Sequence, residues 1–222
     1  MIRALPHLAR LRRLGDDTSG LALLEFAFIL PIVLTLSLAG AEMTNYIITK
    51  MRISQIALHL ADNASRIGTG SQLQAKTISE IDINDLLTGA QLQSGELDLF
   101  TNGRVIISDL EPMANPNTSG KYKIVWQRCK GAVTGFSPQY GNLKDPTTTT
   151  SNMDGMGPQN RQVMAPDGGA TMYVEVYYNY KPLIRTSLTP AGTISEIASM
   201  MVRDRRDLSQ IYNVENAPKA AC

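Results

Sequence analysis

Three patterns of hydrophobic and polar positions follow one another along the 222 residues of this chain. Residues 21–41 are apolar apart from Glu25, and such a run is long enough to cross about 30 Å of hydrocarbon as a helix. Hydrophobic residues then recur at helical spacing until Gly68 and Gly70 provide a stop; they occupy positions 53, 56, 57, 60, 61 and 64. The sequence therefore predicts one continuous or gently broken helix over residues 21–67, with Pro31 bending its first half.

After this helix the pattern changes to short segments. Residues 78–89 predict a short helix that ends at Gly89. Residues 97–100 and 105–110 predict a β-hairpin, because Asn102-Gly103 between them suits the positive φ angles of a type I′ turn. Residues 121–126 and 172–180 predict two further strands, whereas residues 194–203 fit either a helix or a strand. Together the elements predict an α+β fold, with a small antiparallel sheet packed on the apolar stripe of the long helix.

A short basic segment precedes the apolar run. It carries four arginines and two aspartates and ends at Gly20, and Glu25 is the fifth residue after that glycine. This arrangement resembles the class III signal of type IV pilins. In that family a membrane-embedded aspartyl prepilin peptidase cuts after the glycine on the cytoplasmic side and leaves the hydrophobic segment attached. The resemblance implies a leader of residues 1–20 and a mature chain that begins at Leu21.

A narrower family resemblance lies in the residues around this junction. The chain is similar, residue by residue, to the amino-terminal pattern of TadE-like proteins, the minor pilins of the tight-adherence (Tad, or Flp) pilus system, at Gly20, Glu25, Phe26, Ala27, Pro31, Gly40 and Glu42. Residues 174–183 resemble the family's strand that ends in an aromatic-x-Pro-Leu segment, and residues 201–205 resemble its closing strand. The long polar middle of the chain departs from the family pattern.

The resemblance implies a function in assembly. A TadE-like minor pilin or pseudopilin would be a substrate of the prepilin peptidase. Its other expected partners are the inner-membrane assembly platform, further Tad minor pilins and the Flp major pilin. The complex would prime or cap the pilus fibre for surface adhesion, biofilm formation or contact-dependent delivery.

The charge of Glu25 suggests how such a subunit would assemble. An unpaired acid costs roughly 2.5 to 3.5 kcal/mol at mid-membrane and less near the interface, so it persists mainly where a partner neutralises it. Cleavage after Gly20 would create an ammonium group on Leu21. Pairing of Glu25 with the Leu21 ammonium of a neighbouring subunit would offset both desolvation costs and fix the axial register.

Two other interpretations of the amino terminus remain open. Ala39-Gly40-Ala41 has the small-x-small form of a secretory cleavage site, which would release a soluble protein beginning at Glu42; however, the apolar stretch before it is longer than the 7 to 15 residues typical of such signals and contains Glu25. An uncleaved signal anchor is the second alternative. The excess of arginine before the span places the amino terminus in the cytoplasm, and residues 68–222 are then expected to form an extracytoplasmic domain on the plasma (inner) membrane.

Charge and cysteine content agree with that location. Without the leader, 17 basic and 18 acidic residues remain, a net charge of −1 that offers no general field for nucleic acid. Cys129 and Cys222, the only cysteines, both fall on the oxidising side and predict one disulfide, with two unpaired thiols as the alternative.

Candidate catalytic chemistry is scarce in the sequence. Removal of the leader leaves His59 as the only histidine, and its helical spacing favours a surface or packing role. No zinc-ligand, nucleophile-elbow or convincing phosphate-loop motif occurs, so we expect neither a catalytic residue nor a metal or other cofactor. Residues 131–170 are rich in Gly, Pro and Asn and predict a long loop that is either an exposed binding loop or a tolerated insertion. A signal-anchored periplasmic binding protein is the main alternative function, and a secreted enzyme is the remaining one.

Overall fold

The structure is a computed structural model that describes residues 19–71, 73–145, 147–185, 189–190 and 192–222. All but the last two residues of the expected leader therefore lie outside the described residues. The chain divides into two compact units. The first contains described residues 19–45, 182–185 and 189–190, and the second contains the remainder.

Helix α1, Ser19–Arg66, confirms the long amino-terminal helix. Within the second unit, every position of the predicted stripe is buried at 4% exposure or less, from Ile53 to Ala64. These side chains join one hydrophobic core with the sheet, in contact with residues such as Val105, Val174 and Ile194. The helical spacing of the sequence therefore identified the packed face of α1 correctly.

Helix α2, Glu80–Ser94, is longer than the sequence predicted. It begins at a capping box, in which the Ser79 hydroxyl accepts the Asp82 N–H and the Asp82 carboxylate accepts the Ser79 N–H. The predicted end at Gly89 is wrong. The helix continues through Gly89 and ends at Gly95, whose φ of 51° is the conformation that glycine adopts at little cost.

The predicted hairpin around Asn102-Gly103 is also wrong. A 3₁₀ turn, Gly95–Leu97, and a short helix α3, Leu99–Asn102, occupy the place of its first strand. Gly103 has an extended backbone and opens strand β1, Gly103–Pro112. A Cβ atom at Gly103 would lie 2.1 Å from the Tyr177 carbonyl oxygen, so the glycine serves close strand packing instead of a turn.

Four antiparallel strands form the sheet in the order β2-β1-β3-β4. Strands β2, Tyr122–Lys130, and β3, Thr171–Asn179, confirm the two predicted strands. Strand β4, Thr193–Met201, decides the ambiguous carboxy-terminal element in favour of a strand, which lies mainly before the family-like residues 201–205. The fold is α+β, with the apolar stripe of α1 packed against a small antiparallel sheet.

Both faces of the central strands are covered. All ten residues of β1 and the first eight of β3 are buried. Helices α1 and α2 cover one face. On the other face, Leu110 and Tyr173 pack with Met156 and Ala165 of the long segment 131–170. The described part of that segment thus acts as a third layer of the domain.

The carboxy-terminal tail, residues 202–222, is fastened to the rest of the second unit. Its backbone forms hydrogen bonds with residues 76, 78 and 80, and the Ala220 carbonyl accepts the Cys129 N–H at 2.7 Å. Cys129 and Cys222 form a disulfide with a Cα separation of 4.7 Å, which confirms the predicted pairing. The tail thereby lies along the outer side of β2.

Candidate functional site

The amino-terminal part of α1 is the candidate site. Residues 20–41 are all exposed, including large apolar side chains such as Leu23, Phe28 and Leu36. In the part of the chain that the structure describes, α1 is the one helix long and apolar enough to cross a membrane. A helix of this kind near the amino terminus has the form of a membrane anchor or of a signal sequence.

The predicted cleavage site lies on this helix. Ser19 is the first described residue of α1, and the Gly20–Leu21 bond follows it directly. A Cβ atom at Gly20 would meet no atom within 4 Å. Packing of the described chain therefore does not require glycine at position 20.

Glu25 lies one helical turn after Leu21 on the same side of α1. Its side chain is exposed, as are those of Phe26 and Ala27, the next residues of the family pattern. Among the described residues no hydrogen bond or ion pair reaches the Glu25 carboxylate. The acid is therefore presented outward from an otherwise apolar surface.

Two helix-disfavouring residues also lie on this exposed segment. Pro31 lacks the N–H that would bond the Ala27 carbonyl, and the Thr35 hydroxyl donates to the Pro31 carbonyl at 2.7 Å. Gly40 sits inside the helix, where glycine costs about 0.5 to 1 kcal/mol relative to alanine, yet a Cβ there would meet nothing within 4 Å. Packing of the described chain therefore does not require glycine at position 40.

Glu42 differs from the rest of the family-like residues because it is buried, at 2% exposure. Within the first unit, its Oε2 accepts the backbone N–H of Leu183 at 2.9 Å and of Ile184 at 3.1 Å. Leu183 ends the aromatic-x-Pro-Leu segment that also carries the family resemblance. The structure therefore joins two resemblance-bearing segments that are 141 residues apart, and it gives Glu42 a positioning role.

Sequence reasoning missed a polar cleft of about 310 Å³ in the second unit. Asp109 and Glu111 of β1 enter it, and Arg206 of the tail donates from Nη2 to the Ser65 and Ile67 carbonyls at the end of α1. One oxygen of each carboxyl and the Nε of Arg206 have no hydrogen-bond partner among the described residues. Asp109 and Glu111 alternate with apolar residues along β1. In a sequence, such alternation is usually taken to place the acids on a solvent-exposed face, and only the structure shows that this face of β1 is buried.

The environment of this cleft raises the pKa of both acids. Burial raises the pKa of Asp109 well above its usual range, and the neighbouring Glu111 carboxylate raises it further, while Arg206 lowers it. Burial also raises the pKa of Glu111, against an opposing effect of Lys123. Folding therefore favours the neutral form of these carboxyl groups more than the unfolded chain does.

A second buried carboxyl fastens segment 131–170 to the sheet. Glu175 is fully buried on β3, and its Oε2 accepts the Gln139 N–H at 2.9 Å and the Tyr177 hydroxyl at 2.6 Å. Burial raises the pKa of Glu175. His59 is exposed on α1. The described residues contain no group of three or more His, Cys, Asp or Glu arranged to hold a metal ion.

Comparison with known proteins gives no family assignment. No family model matches the chain, and no match is found among curated proteins or solved structures. The pilin resemblance stays a prediction from the residues quoted above.

Proposed function

We propose that this protein is a minor pilin or pseudopilin of a Tad-type pilus system. The observation that carries the proposal is the amino-terminal half of α1, on which an exposed apolar surface bears a single carboxylate four residues after Leu21. An exposed apolar surface of this length is stable in lipid, or against other apolar helices, and unfavourable in water. The folded second unit gives the helix a domain to carry.

Processing after Gly20 would complete the assembly site. The new ammonium of Leu21 and the Glu25 carboxylate are one turn apart on the same helix. In a bundle of such helices, each acid can pair with the ammonium of a neighbour, so that both charges are compensated in a poorly solvated environment. This pairing sets the axial position of one subunit against the next, which is a function in assembly and not in catalysis.

The proposed location follows from the same helix. The chain spans the inner membrane once with its amino terminus in the cytoplasm, and the disulfide-bonded domain lies outside. Its proposed partners are the prepilin peptidase, the assembly platform, other Tad minor pilins and the Flp major pilin. The complex initiates or caps the fibre used for adhesion and biofilm formation.

Intact mass of the protein isolated from its own membrane tests the processing step. We expect a mature chain that begins at Leu21, and Gly20→Arg should leave the full-length chain because a large side chain blocks the backbone from the peptidase. Gly40→Ala serves as the matched control, since it also replaces an unpacked glycine of the same helix and should be processed normally. A mature chain that begins at Glu42 contradicts the proposal, and one that retains Met1 supports the signal-anchored binding protein instead.

A further inference from the structure

The two edge strands of the sheet, β2 and β4, differ in whether other segments of the chain form backbone hydrogen bonds with them. At the β2 edge, the backbone N–H groups of Tyr122, Ile124 and Cys129 donate to the carbonyl oxygens of residues 153, 150 and 220, respectively. At the β4 edge, within the part of the chain that the structure describes, residues 193–201 show β3 as their one strand neighbour and no backbone hydrogen bond to a further segment. One edge is therefore closed by a loop and a disulfide-bonded tail, and the other is open.

Strand β4 has the features of an edge that accepts another strand. It is nine residues long and pairs with β3 without a register shift. In an antiparallel ladder alternate residues direct both N–H and C=O outward, so about four residues of β4 offer both groups. Proteins usually block such an edge with proline, lysine or a bulge, and β4 contains none of these. Its single charge, Glu196, lies on the helix side, 3.9 Å from Lys50.

A small cleft lies beside this open edge on the face covered by segment 131–170. Its volume is about 190 Å³, and it is lined by Arg161, Val163, Tyr173 and residues 197–199 of β4. Arg161 is exposed, and the Tyr173 hydroxyl is buried with no hydrogen-bond partner among the described residues. A guanidinium at the rim and a hydroxyl within are donors, and a carboxylate is the side-chain group that accepts from both.

We propose that the β4 edge binds an extended segment of a partner protein as a fifth strand, with an Asp or Glu side chain of that segment seated beside Arg161. Backbone hydrogen bonds to β4 supply the attachment, and the cleft selects the acidic side chain. This surface is separate from the apolar half of α1 and does not depend on the proposed pilin function.

A second copy of this chain fits the edge poorly. Side chains alternate between the faces of a strand, and the cleft side of β4 carries Ser195, Ile197 and Ser199, since Ile197 pairs with the loop-side residue Glu175. Pairing of β4 with another β4 therefore brings no carboxylate to Arg161. We therefore assign the acidic segment to a different protein.

Hydrogen–deuterium exchange of the full-length protein in detergent micelles tests this site. The probes are three blocked nine-residue peptides of alternating threonine and valine, with glutamate, glutamine or lysine at the central position. We expect the glutamate peptide to slow exchange of the β4 amides at a concentration at least fivefold lower than the glutamine peptide requires, with the lysine peptide weakest. Two further glutamate peptides carry N-methyl groups on alternate sets of amides. They should differ in how well they protect the β4 amides from exchange, because only one set of peptide amides faces β4.

Two variants give the site-specific control. Arg161→Gln should abolish the preference for glutamate, whereas Lys144→Gln, which removes an exposed charge from the same segment, should keep it. Equal protection by all three peptides, or no change in β4 exchange with any of them, overturns the proposal. Concentration-dependent protection of β4 without peptide overturns it as well, since it identifies a second copy as the occupant.

Discussion

At the scale of single residues, the acidic side chains of this protein fall into groups with opposite effects on stability. Asp109, Glu111 and Glu175 are buried, and burial raises the pKa of each. Asp204 is exposed, and its hydrogen bond to Lys76 lowers its pKa. A raised native pKa favours the folded state at low pH, whereas a lowered one favours it at neutral pH.

Asp109→Asn should therefore change how stability depends on pH. Native Asp109 holds its proton more tightly than the unfolded chain does, so its contribution falls as pH rises from about 3.9 towards the raised native value. Asparagine resembles the neutral acid and does not titrate. We expect the variant to gain free energy of unfolding relative to wild type between pH 4 and pH 8, by about 1.4 kcal/mol for each unit of pKa elevation.

Urea unfolding at several pH values, followed by the fluorescence of Trp126, the only tryptophan, and by circular dichroism, measures this effect. Asp204→Asn is the control with the opposite sign, because loss of a lowered pKa weakens the protein more at pH 8 than at pH 4. An Asp109→Asn variant with the same pH slope as wild type contradicts a raised pKa of Asp109.

At the scale of elements, the local pattern of hydrophobic residues correctly predicted helix α1 and strands β2 and β3. The stripe from Ile53 to Ala64 was readable because it reflects burial of one helix face. Strands β2 and β3 were readable because they are rich in β-branched and aromatic residues. Gly89 and Gly103 were misread because both were taken as local signals. Helix α2 continues past Gly89 with Ala90 and Ser94 buried, and the close packing of β1 against Tyr177 decides the backbone at Gly103. Strand pairing across some 70 residues is not visible in a local window.

The candidate site residues also divide into those that a local sequence pattern reveals and those that only the fold brings together. Glu25 was found from the sequence because a charge within an apolar run is a local anomaly. Asp109, Glu111 and Arg206 were missed because their proximity depends on the fold of a segment almost 100 residues further along the chain. Glu42 was noted only as part of a resemblance, and its contact with residues 183 and 184 required the structure.

The carboxy-terminal tail is the element whose attachment depends most on one covalent bond. Closing a loop between residues that are 93 apart stabilises by about 4 kcal/mol in the chain-entropy model. We expect the double variant Cys129→Ser, Cys222→Ser to lose about 2 to 4 kcal/mol of unfolding free energy, and the tail amides near Ala220 to exchange faster.

Alkylation of denatured, unreduced protein from the cell envelope provides the complementary measurement. We expect no reactive thiol in the wild type and two after reduction. Cys222→Ser alone is the control, since it should expose one thiol at Cys129 without reduction. Two reactive thiols in the exported wild-type protein contradict the disulfide.

At the scale of the whole molecule, the exposed apolar half of α1 and the folded second unit are separate parts of the chain. The second unit has its own core, its own disulfide and both faces of its central strands covered. The first 22 residues of the described helix after Ser19 are exposed. Changes at Glu25 should therefore affect assembly and leave the folded unit intact.

Replacement of Glu25 tests this account most directly, by co-isolation of partner pilins and by counting pili on cells that carry the variant. Glu25→Val removes the charge and should ease membrane insertion by up to about 3 kcal/mol, while it eliminates the pair with the Leu21 ammonium. We expect a normal amount of processed, membrane-resident protein that neither binds its partners nor supports pili. Glu25→Asp should be intermediate, because it keeps the charge with a shorter reach. Normal pili and unchanged partners in Glu25→Val cells would contradict the central claim.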